Sequence, residues 1–240
     1  MTNWIVEVQS EMIVDELNAL FPKGSHSEFL LDDLEVEEKE VQATLKKVIW
    51  KNLEGQVCDT ELVKGMTSFF QKYESARIFY LDCDGILIFE RKDGRKTLAL
   101  CELKSNYDTT KIYKAYQQIL SSCIKFKLLL NLLPSYRAEE WDVKGFIFSK
   151  PKLSKDKLLR DLSKQSQLSR DDDNRKVAEL AMKLWDKSSM PLEITPGKCR
   201  EVNELPLGER VLFPLLQLYH IEVDSLSNTC EVDARQYIWP

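Results

Sequence analysis

Residues 77–104 read RIFYLDCDGILIFERKDGRKTLALCELK, two runs rich in β-branched, aromatic and other apolar residues on either side of the polar segment RKDGRK. Such runs joined by a short glycine-containing segment are typical of a β-hairpin. Each run also has a pair of charged residues among its apolar ones, Asp82 and Asp84 in the first and Glu102 and Lys104 in the second. Because charge is costly on a buried strand, these residues mark a candidate functional site.

The length of the turn decides whether the charged residues meet. A three-residue loop with its glycine in the left-handed conformation pairs the strands so that Asp84 lies opposite Glu102. Their Cβ atoms would then be about 5 Å apart. Asp82 would face Lys104 in the same register. A two-residue loop would instead put the two carboxylates on opposite faces of the sheet.

Adjacent carboxylates repel each other, and a hard divalent cation removes that repulsion. Mg²⁺ suits the pair because it takes one or two carboxylates and keeps several waters, and Mn²⁺ is expected to substitute for it. We therefore predict that Asp84, Glu102 and the backbone carbonyl of Leu103 bind the metal. The amine of Lys104 would lie beside them, where it can position or activate the attacking water and stabilise a transferring phosphoryl group.

A long helix is predicted after the hairpin, from a cap at Thr110 to Leu133, before Pro134. Its apolar face contains Ile112, Tyr116, Ile119, Cys123 and Phe126. Its polar face contains Lys111, Lys114, Gln118, Ser121 and Lys125. A buried strand, VKGFIFS, follows at 143–149. The order strand, strand, helix, strand indicates an α/β fold.

The rest of the chain completes this architecture. Before residue 75 we predict helices at Met12–Phe21, at the acidic run Asp32–Glu40 continuing through VQATLKKVIWKNL, and at Glu61–Tyr73. After residue 150 we predict helices at Lys155–Leu162 and Asn174–Trp185 and a strand at 216–223. The expected fold is a central mixed β-sheet flanked by helices, with residues 1–56 as a helical N-terminal elaboration of a domain spanning 57–240.

Charge is segregated along the 240 residues. The net charge is −5, yet residues 91–160 carry 16 basic and 7 acidic side chains whereas residues 1–90 carry 8 and 18. Segregation of this kind indicates a polyanion bound locally, although packing of oppositely charged segments explains it equally well. No apolar run approaches the roughly 18 residues of a membrane span and no basic leader begins the chain, so we expect a cytoplasmic protein with no membrane contact.

Six cysteines lie far apart, with no CxxC pair and only two histidines in the chain. A zinc site or a disulfide framework needs clustered ligands or paired spacings. We therefore expect free, mostly buried thiols.

The order of these features resembles the restriction-endonuclease-like PD-(D/E)XK nucleases. The matching elements are Asp84 in Asp-Gly-Ile-Leu, the triplet Glu102-Leu103-Lys104 after a hairpin, a helix bearing Gln117 and Gln118, and the strand at 143–149. The resemblance covers residues 57–150 and implies the αβββαβ core of that family. Glu61 is the candidate for the additional helix-borne acid that some members use.

The resemblance implies a metal-dependent nuclease that hydrolyses phosphodiester bonds, with DNA as the expected substrate. Asp84 and Glu102 would be metal ligands, Lys104 the catalytic lysine and Gln118 an auxiliary active-site contact. The expected phosphate contacts are Lys111, Lys114 and Lys125, followed by Lys150, Lys152, Lys155 and Lys157. A homodimer or a partner protein is compatible with this function.

Two alternatives stay open. A catalytically silent nucleic-acid-binding or assembly subunit could keep the same fold. The segment IFYLDCDGIL is also similar to the first motif of the haloacid-dehalogenase-like phosphatases. In that family Asp82 would be the nucleophile, Asp84 the general acid and Ser149 the phosphate-binding hydroxyl.

Overall fold

A computed structural model describes residues 13, 15–22, 28–30, 33–52, 55–58, 60–90, 95–151, 157, 160–164, 172–186 and 190–238. The strands are β1 (Glu28–Leu30), β2 (Leu34–Glu37), β3 (Lys47–Lys51), β4 (Gly55–Cys58), β5 (Gly85–Glu90), β6 (Lys96–Lys104), β7 (Trp141–Ser149), β8 (Leu192–Ile194), β9 (Leu216–Glu222) and β10 (Thr229–Asp233). The helices are α1 (Thr60–Lys72), α2 (Thr109–Leu130), α3 (Asp172–Asp186), α4 (Arg200–Asn203) and α5 (Arg235–Ile238). Residues 15–20 and 160–164 are also helical, within two of the predicted helices.

The strands form two mixed sheets, which confirms an α/β fold. The larger has the order β1-β4-β5-β6-β7-β9-β8, and the smaller has the order β10-β3-β2. In the larger sheet β6, β7 and β9 are parallel to one another, and the other pairings are antiparallel. The predicted strands at 143–149 and 216–223 are therefore confirmed as the parallel neighbours β7 and β9.

Strand β6 lies between two cores. Leu98 and Leu100 face the helices, including α2, whereas Ala99, Cys101 and Leu103 face the smaller sheet, where Trp50 packs. The strand is buried on both faces, which explains why its sequence is an almost continuous apolar run rather than an alternating one. Packing on both faces therefore holds β6, the strand that carries Glu102 and Lys104, in place.

The hairpin has the register predicted from an odd-length loop. Gly85 pairs with Cys101 and Glu90 with Lys96. The turn itself, residues 91–94 with Gly94, lies outside the described residues. The first strand begins later than expected, at Gly85, because residues 77–80 form a turn of 3₁₀ helix and residues 81–84 carry no strand pairing.

The predicted helix over the acidic run and the following residues is wrong. These residues form β2 and β3 of the smaller sheet, with Leu34, Val36, Val48 and Trp50 buried. Their apolar residues alternate with a period of two, and Val41, which completed the apparent helical spacing, lies in the connecting loop and is 91% exposed. The described part of residues 1–56 is therefore rich in strands rather than helical.

The long helix α2 starts two residues earlier than predicted. Its cap is Asp108 rather than Thr110, because the Asp108 carboxylate accepts hydrogen bonds from the backbone N–H groups of Thr110 (3.1 Å) and Lys111 (3.3 Å). Along the chain α1 lies between β4 and β5. This differs from the expected αβββαβ order, in which no helix separates the first three strands.

The cysteines agree with the expectation of free, mostly buried thiols within the described residues. Cys83, Cys101 and Cys123 are buried free thiols, and Cys199 and Cys230 are half-buried free thiols, whereas the side chain of Cys58 lies outside the described residues. Among the helices described, none combines the length and the apolar character that a bilayer crossing requires.

Gly85 permits the close approach of the two sheets. A Cβ atom on Gly85 would lie 2.6 Å from both methyl carbons of Val36 in β2. We expect Gly85→Ala to destabilise the protein by about 1–3 kcal/mol, since the stiff, buried Val36 side chain must move. Thermal unfolding measures this as a fall in Tm of roughly 2–4 °C per kcal/mol.

Gly208→Ala is the matched control for that change. Gly208 has φ −66°, which alanine adopts, and no atom would lie within 4 Å of the added Cβ. Its Tm should equal that of the wild type. A Gly85→Ala protein that also melts at the wild-type temperature would contradict the close approach of β2 to β5.

Candidate active site

Four of the predicted site residues lie together at the end of β6. Glu102 and Lys104 are on the face that packs against α2, and Gln118 extends from α2. The Lys104 ammonium donates hydrogen bonds to Glu102 Oε1 and, over 3.0 Å, to Gln118 Oε1. Asp84 lies one residue before β5, where its Oδ2 accepts a 2.7 Å hydrogen bond from the backbone N–H of Leu103.

Glu102 is the most deeply buried member of this group. Its side chain is 1% exposed, and Oε2 has no hydrogen-bond partner among the described residues. Burial raises the pKa of Glu102 well above its ordinary value, the Asp84 charge adds to the rise and Lys104 opposes it. A buried acceptor of this kind calls for a ligand, because leaving it unpaired costs roughly 1–3 kcal/mol.

Asp84 experiences a similar environment. Burial raises the pKa of its carboxyl to about 7, while the hydrogen bond from Leu103 and the charges of Lys104 and Lys64 lower it. The charge of Glu38 raises the pKa of both Asp84 and Glu102. Burial is thus the main reason that the pKa of each carboxyl lies above its ordinary value.

Glu38 was not among the sequence candidates. It follows β2, on the inward face that Leu34 and Val36 define, and its Oε1 accepts a 2.8 Å hydrogen bond from the backbone N–H of Glu40. The period-two alternation of Leu34, Val36 and Glu38 is the signal that would have identified it, had the segment been assigned to a strand.

The donor set at this place fits a hard cation. Asp84 and Glu102 supply carboxylate oxygens, of which one is buried and unpaired within the described structure. Within the residues described, no three or more His, Cys, Asp or Glu side chains are grouped so as to hold a metal. A cation here would thus have two carboxylates and water as ligands, an arrangement that Mg²⁺ accepts. Ligation by the Leu103 carbonyl stays a prediction.

Lys125 was predicted to contact nucleic acid, and this prediction is wrong. Its side chain is 0% exposed, and its Nζ donates to Asp82 Oδ1 (2.5 Å), Thr67 Oγ1 (2.5 Å) and the Leu81 carbonyl (2.6 Å). Ser121, on the same predicted polar stripe, is also buried. The end of the stripe that contains Lys125 does not face solvent, because the segment that precedes β5 and Thr67 of helix α1 lie against it.

Asp82 does not join the other acids. Its carboxylate binds Lys125 and accepts a 2.8 Å hydrogen bond from the Thr67 hydroxyl. Its backbone carbonyl accepts a 2.7 Å hydrogen bond from Gln118 Nε2. Gln118 therefore contacts both the segment before β5 and Lys104.

The remaining basic residues divide into three groups. Lys111 and Lys114 are exposed near the start of α2, and Lys157 is exposed as well. Lys150 is buried and its Nζ donates a 2.9 Å hydrogen bond to the Thr44 carbonyl, so it holds the loop between β2 and β3. Lys152, Lys155 and the side chain of Glu61 lie outside the described residues.

The geometry gives little support to the phosphatase alternative. Its aspartates should follow a strand, whereas Asp82 and Asp84 precede β5. Ser149 is fully buried, and its hydroxyl oxygen lies 2.9 Å from Nε2 of the buried His220. A phosphate group could not reach that hydroxyl without rearrangement of the core.

Comparison with protein-family models, with curated proteins and with solved structures gives no match to this chain. The chemistry of the site therefore rests on the contacts just described.

The raised pKa of Asp84 predicts a pH-dependent gain in stability when its charge is removed. The folded protein keeps a proton on Asp84 up to about pH 7 and the unfolded chain only to its ordinary pKa of 3.8, so stability without metal falls as pH rises between them. In EDTA, the Tm of Asp84→Asn should exceed that of the wild type by roughly 5–10 °C more at pH 8 than at pH 5, because the two pH units between pH 5 and the folded-state pKa correspond to about 3 kcal/mol. Asparagine keeps the acceptor for the Leu103 N–H.

Asp224→Asn is the control for this measurement. Asp224 is exposed and accepts a 2.8 Å hydrogen bond from the backbone N–H of Leu226, so it is a carboxylate in a comparable local role without burial. The difference in Tm between Asp224→Asn and the wild type should be the same at pH 5 and at pH 8. A flat profile for Asp84→Asn would show that Asp84 is not desolvated.

Proposed function

We propose that this protein is a Mg²⁺-dependent nuclease that hydrolyses phosphodiester bonds in DNA, built on a restriction-endonuclease-like core. The observation that carries the proposal is the buried Glu102 carboxylate, with one oxygen bound to Lys104 and the other without a partner among the described residues, close enough to Asp84 for the Asp84 charge to raise the pKa of Glu102. The succession of hairpin, helix α2 and parallel strand β7 supports the same assignment.

Each residue of the site has a role in this proposal. Asp84 and Glu102 would hold Mg²⁺, which when bound offsets their charge and stabilises negative charge on a phosphoryl group. Lys104 keeps an ammonium at the same place, where it can donate to the attacking water or to a phosphoryl oxygen. Gln118 accepts one of the Lys104 hydrogen bonds and thereby restricts where the amine points.

The exposed lysines at the start of α2 provide an approach for the substrate. Lys111 and Lys114 follow Lys104 by only seven and ten residues and project from the first turns of the helix. Lysines at such positions bind phosphates without distinguishing sequence. We therefore expect them to orient the DNA backbone toward the site.

A silent nucleic-acid-binding subunit is the second candidate function. It is favoured by the small ligand set, two carboxylates without a third acid grouped around them in the described residues. A silent subunit would have the same fold and the same DNA-binding lysines as the proposed nuclease, but it would not cleave DNA.

Cleavage of linear and circular DNA with Mg²⁺, compared with EDTA, tests the nuclease. We expect Mg²⁺-dependent cleavage that falls at least about 100-fold in Lys104→Met and in Glu102→Gln, because each removes charge stabilisation at the phosphoryl group. Lys183→Met, at an exposed position of α3, is the control and should cleave like the wild type. The proposal fails if no DNA is cleaved with Mg²⁺ or Mn²⁺, or if Lys104→Met cleaves normally; cleavage of RNA alone would correct the substrate.

DNA affinity at several salt concentrations tests the lysines. In a Glu102→Gln background with EDTA, so that no strand is cut, Lys111→Ala with Lys114→Ala should weaken binding and reduce the slope of log K against log salt by up to about 2. The exposed pair Lys183→Ala with Lys198→Ala is the control. If the double variant keeps the wild-type salt dependence, the DNA binds elsewhere on the protein. If the wild type binds DNA but never cleaves it, the silent subunit is favoured.

A further inference from the structure

Residues 81–83, which precede Asp84 and β5, depend on side chains of α2 for their backbone hydrogen bonds. Residues 81–83 are outside the sheet, and only at Asp84 does the backbone N–H reach β6, donating to the Cys101 carbonyl over 3.0 Å. Backbone groups that leave a sheet in the interior need other partners. Those partners decide the path of the segment and with it the position of Asp84.

Three side chains of α2 supply these partners in succession. Lys125 donates to the Leu81 carbonyl over 2.6 Å, and Gln118 donates to the Asp82 carbonyl over 2.7 Å. The hydroxyl of Ser122 accepts a 2.9 Å hydrogen bond from the Cys83 backbone N–H. The three side chains recur at spacings of four and three, which places them on one stripe of the helix.

The ion pair between Lys125 and Asp82 lies at one end of this row of three contacts between α2 and residues 81–83. The Lys125 ammonium has three acceptors, the Asp82 carboxylate, the Thr67 hydroxyl and the Leu81 carbonyl. Such a pair is weak evidence for stability, since apolar residues of similar volume often replace buried ion pairs at no loss of stability. What the pair provides here is a fixed geometry for the segment that ends in Asp84.

We propose that Lys125 and Asp82 are positioning residues, whose ion pair fixes residues 81–83 on α2 and thereby places the Asp84 carboxylate and, through Gln118, the Lys104 amine. The proposal rests on the proposed nuclease. It follows from the double contact of Gln118, which binds the Asp82 carbonyl with its amide N–H and Lys104 with its oxygen. A shift of the segment would thus move the acid and the amine together.

The decisive variant combines Lys125→Met with Asp82→Leu, which replaces the ion pair by an apolar pair. We expect its Tm to return to within a few degrees of the wild type. Single-turnover cleavage, with the protein in saturating excess over DNA and with saturating Mg²⁺, should stay at least about tenfold slower, while the Kd for DNA is unchanged. The single variant Lys125→Met should lower both Tm and cleavage, because it leaves Asp82 without its cation. Double-variant cleavage at the wild-type rate would overturn the proposal.

Lys127→Met is the matched control. Lys127 is a second buried lysine of α2, and its Nζ donates to the Leu212 carbonyl over 2.6 Å, away from residues 81–84. Its substitution should lower Tm and leave the single-turnover rate unchanged below the melting temperature. A tenfold loss of cleavage in this variant would show that any buried lysine of the helix matters equally, which would contradict a specific role for Lys125.

Amide hydrogen exchange separates failure of this proposal from failure of the nuclease assignment. In the double variant the backbone N–H groups of Cys83 and Asp84 should exchange at least tenfold faster than in the wild type, and in Lys127→Met they should not. This result is expected even if the wild type cleaves nothing, in which case only the nuclease assignment falls. Unchanged exchange at both amides would overturn the positioning role whether or not DNA is cleaved.

Discussion

The carboxylate of Glu102 is removed from water by the position of β6 in the centre of the larger sheet, between the helices and the smaller sheet. A buried acid next to a second acid is unfavourable, and the protein offsets it with one ammonium, Lys104, and with a raised pKa on both carboxyls. The remaining electrostatic cost is what a bound cation would relieve. Burying two neighbouring acids lowers the stability of the folded protein, and such unfavourable arrangements are common at functional sites.

Local sequence patterns were sufficient to predict the hairpin, the long helix and the next strand at the centre of the fold. The two apolar runs around a short turn and the requirement that Asp84 meet Glu102 predicted the register that pairs Gly85 with Cys101. The long helix was predicted from the periodicity of its apolar residues, and the strand at 143–149 was predicted from its continuous apolar run. Roles for Asp84, Glu102, Lys104 and Gln118 stay predictions, although the structure brings their side chains together.

The errors arose where partners come from distant parts of the chain. A polar stripe on a helix is usually solvated, but the end of this stripe that contains Lys125 is covered by residues 81–82 and by Thr67 of α1. The strands β2 and β3 are short, and the exposed Val41 between them completed a false helical spacing. Glu38 was missed as a consequence, because only a strand at 34–37 directs it toward Asp84. No local pattern contains such tertiary information.

The smaller sheet joins segments that are very far apart along the chain. Strand β10 lies parallel to β3, with Thr229 beside Lys47 and Asp233 beside Lys51. During synthesis on a ribosome, β2 and β3 emerge long before β10 exists. The layer that covers one side of β6 is therefore complete only after more than 170 further residues have been made, so this half of the core is expected to assemble slowly.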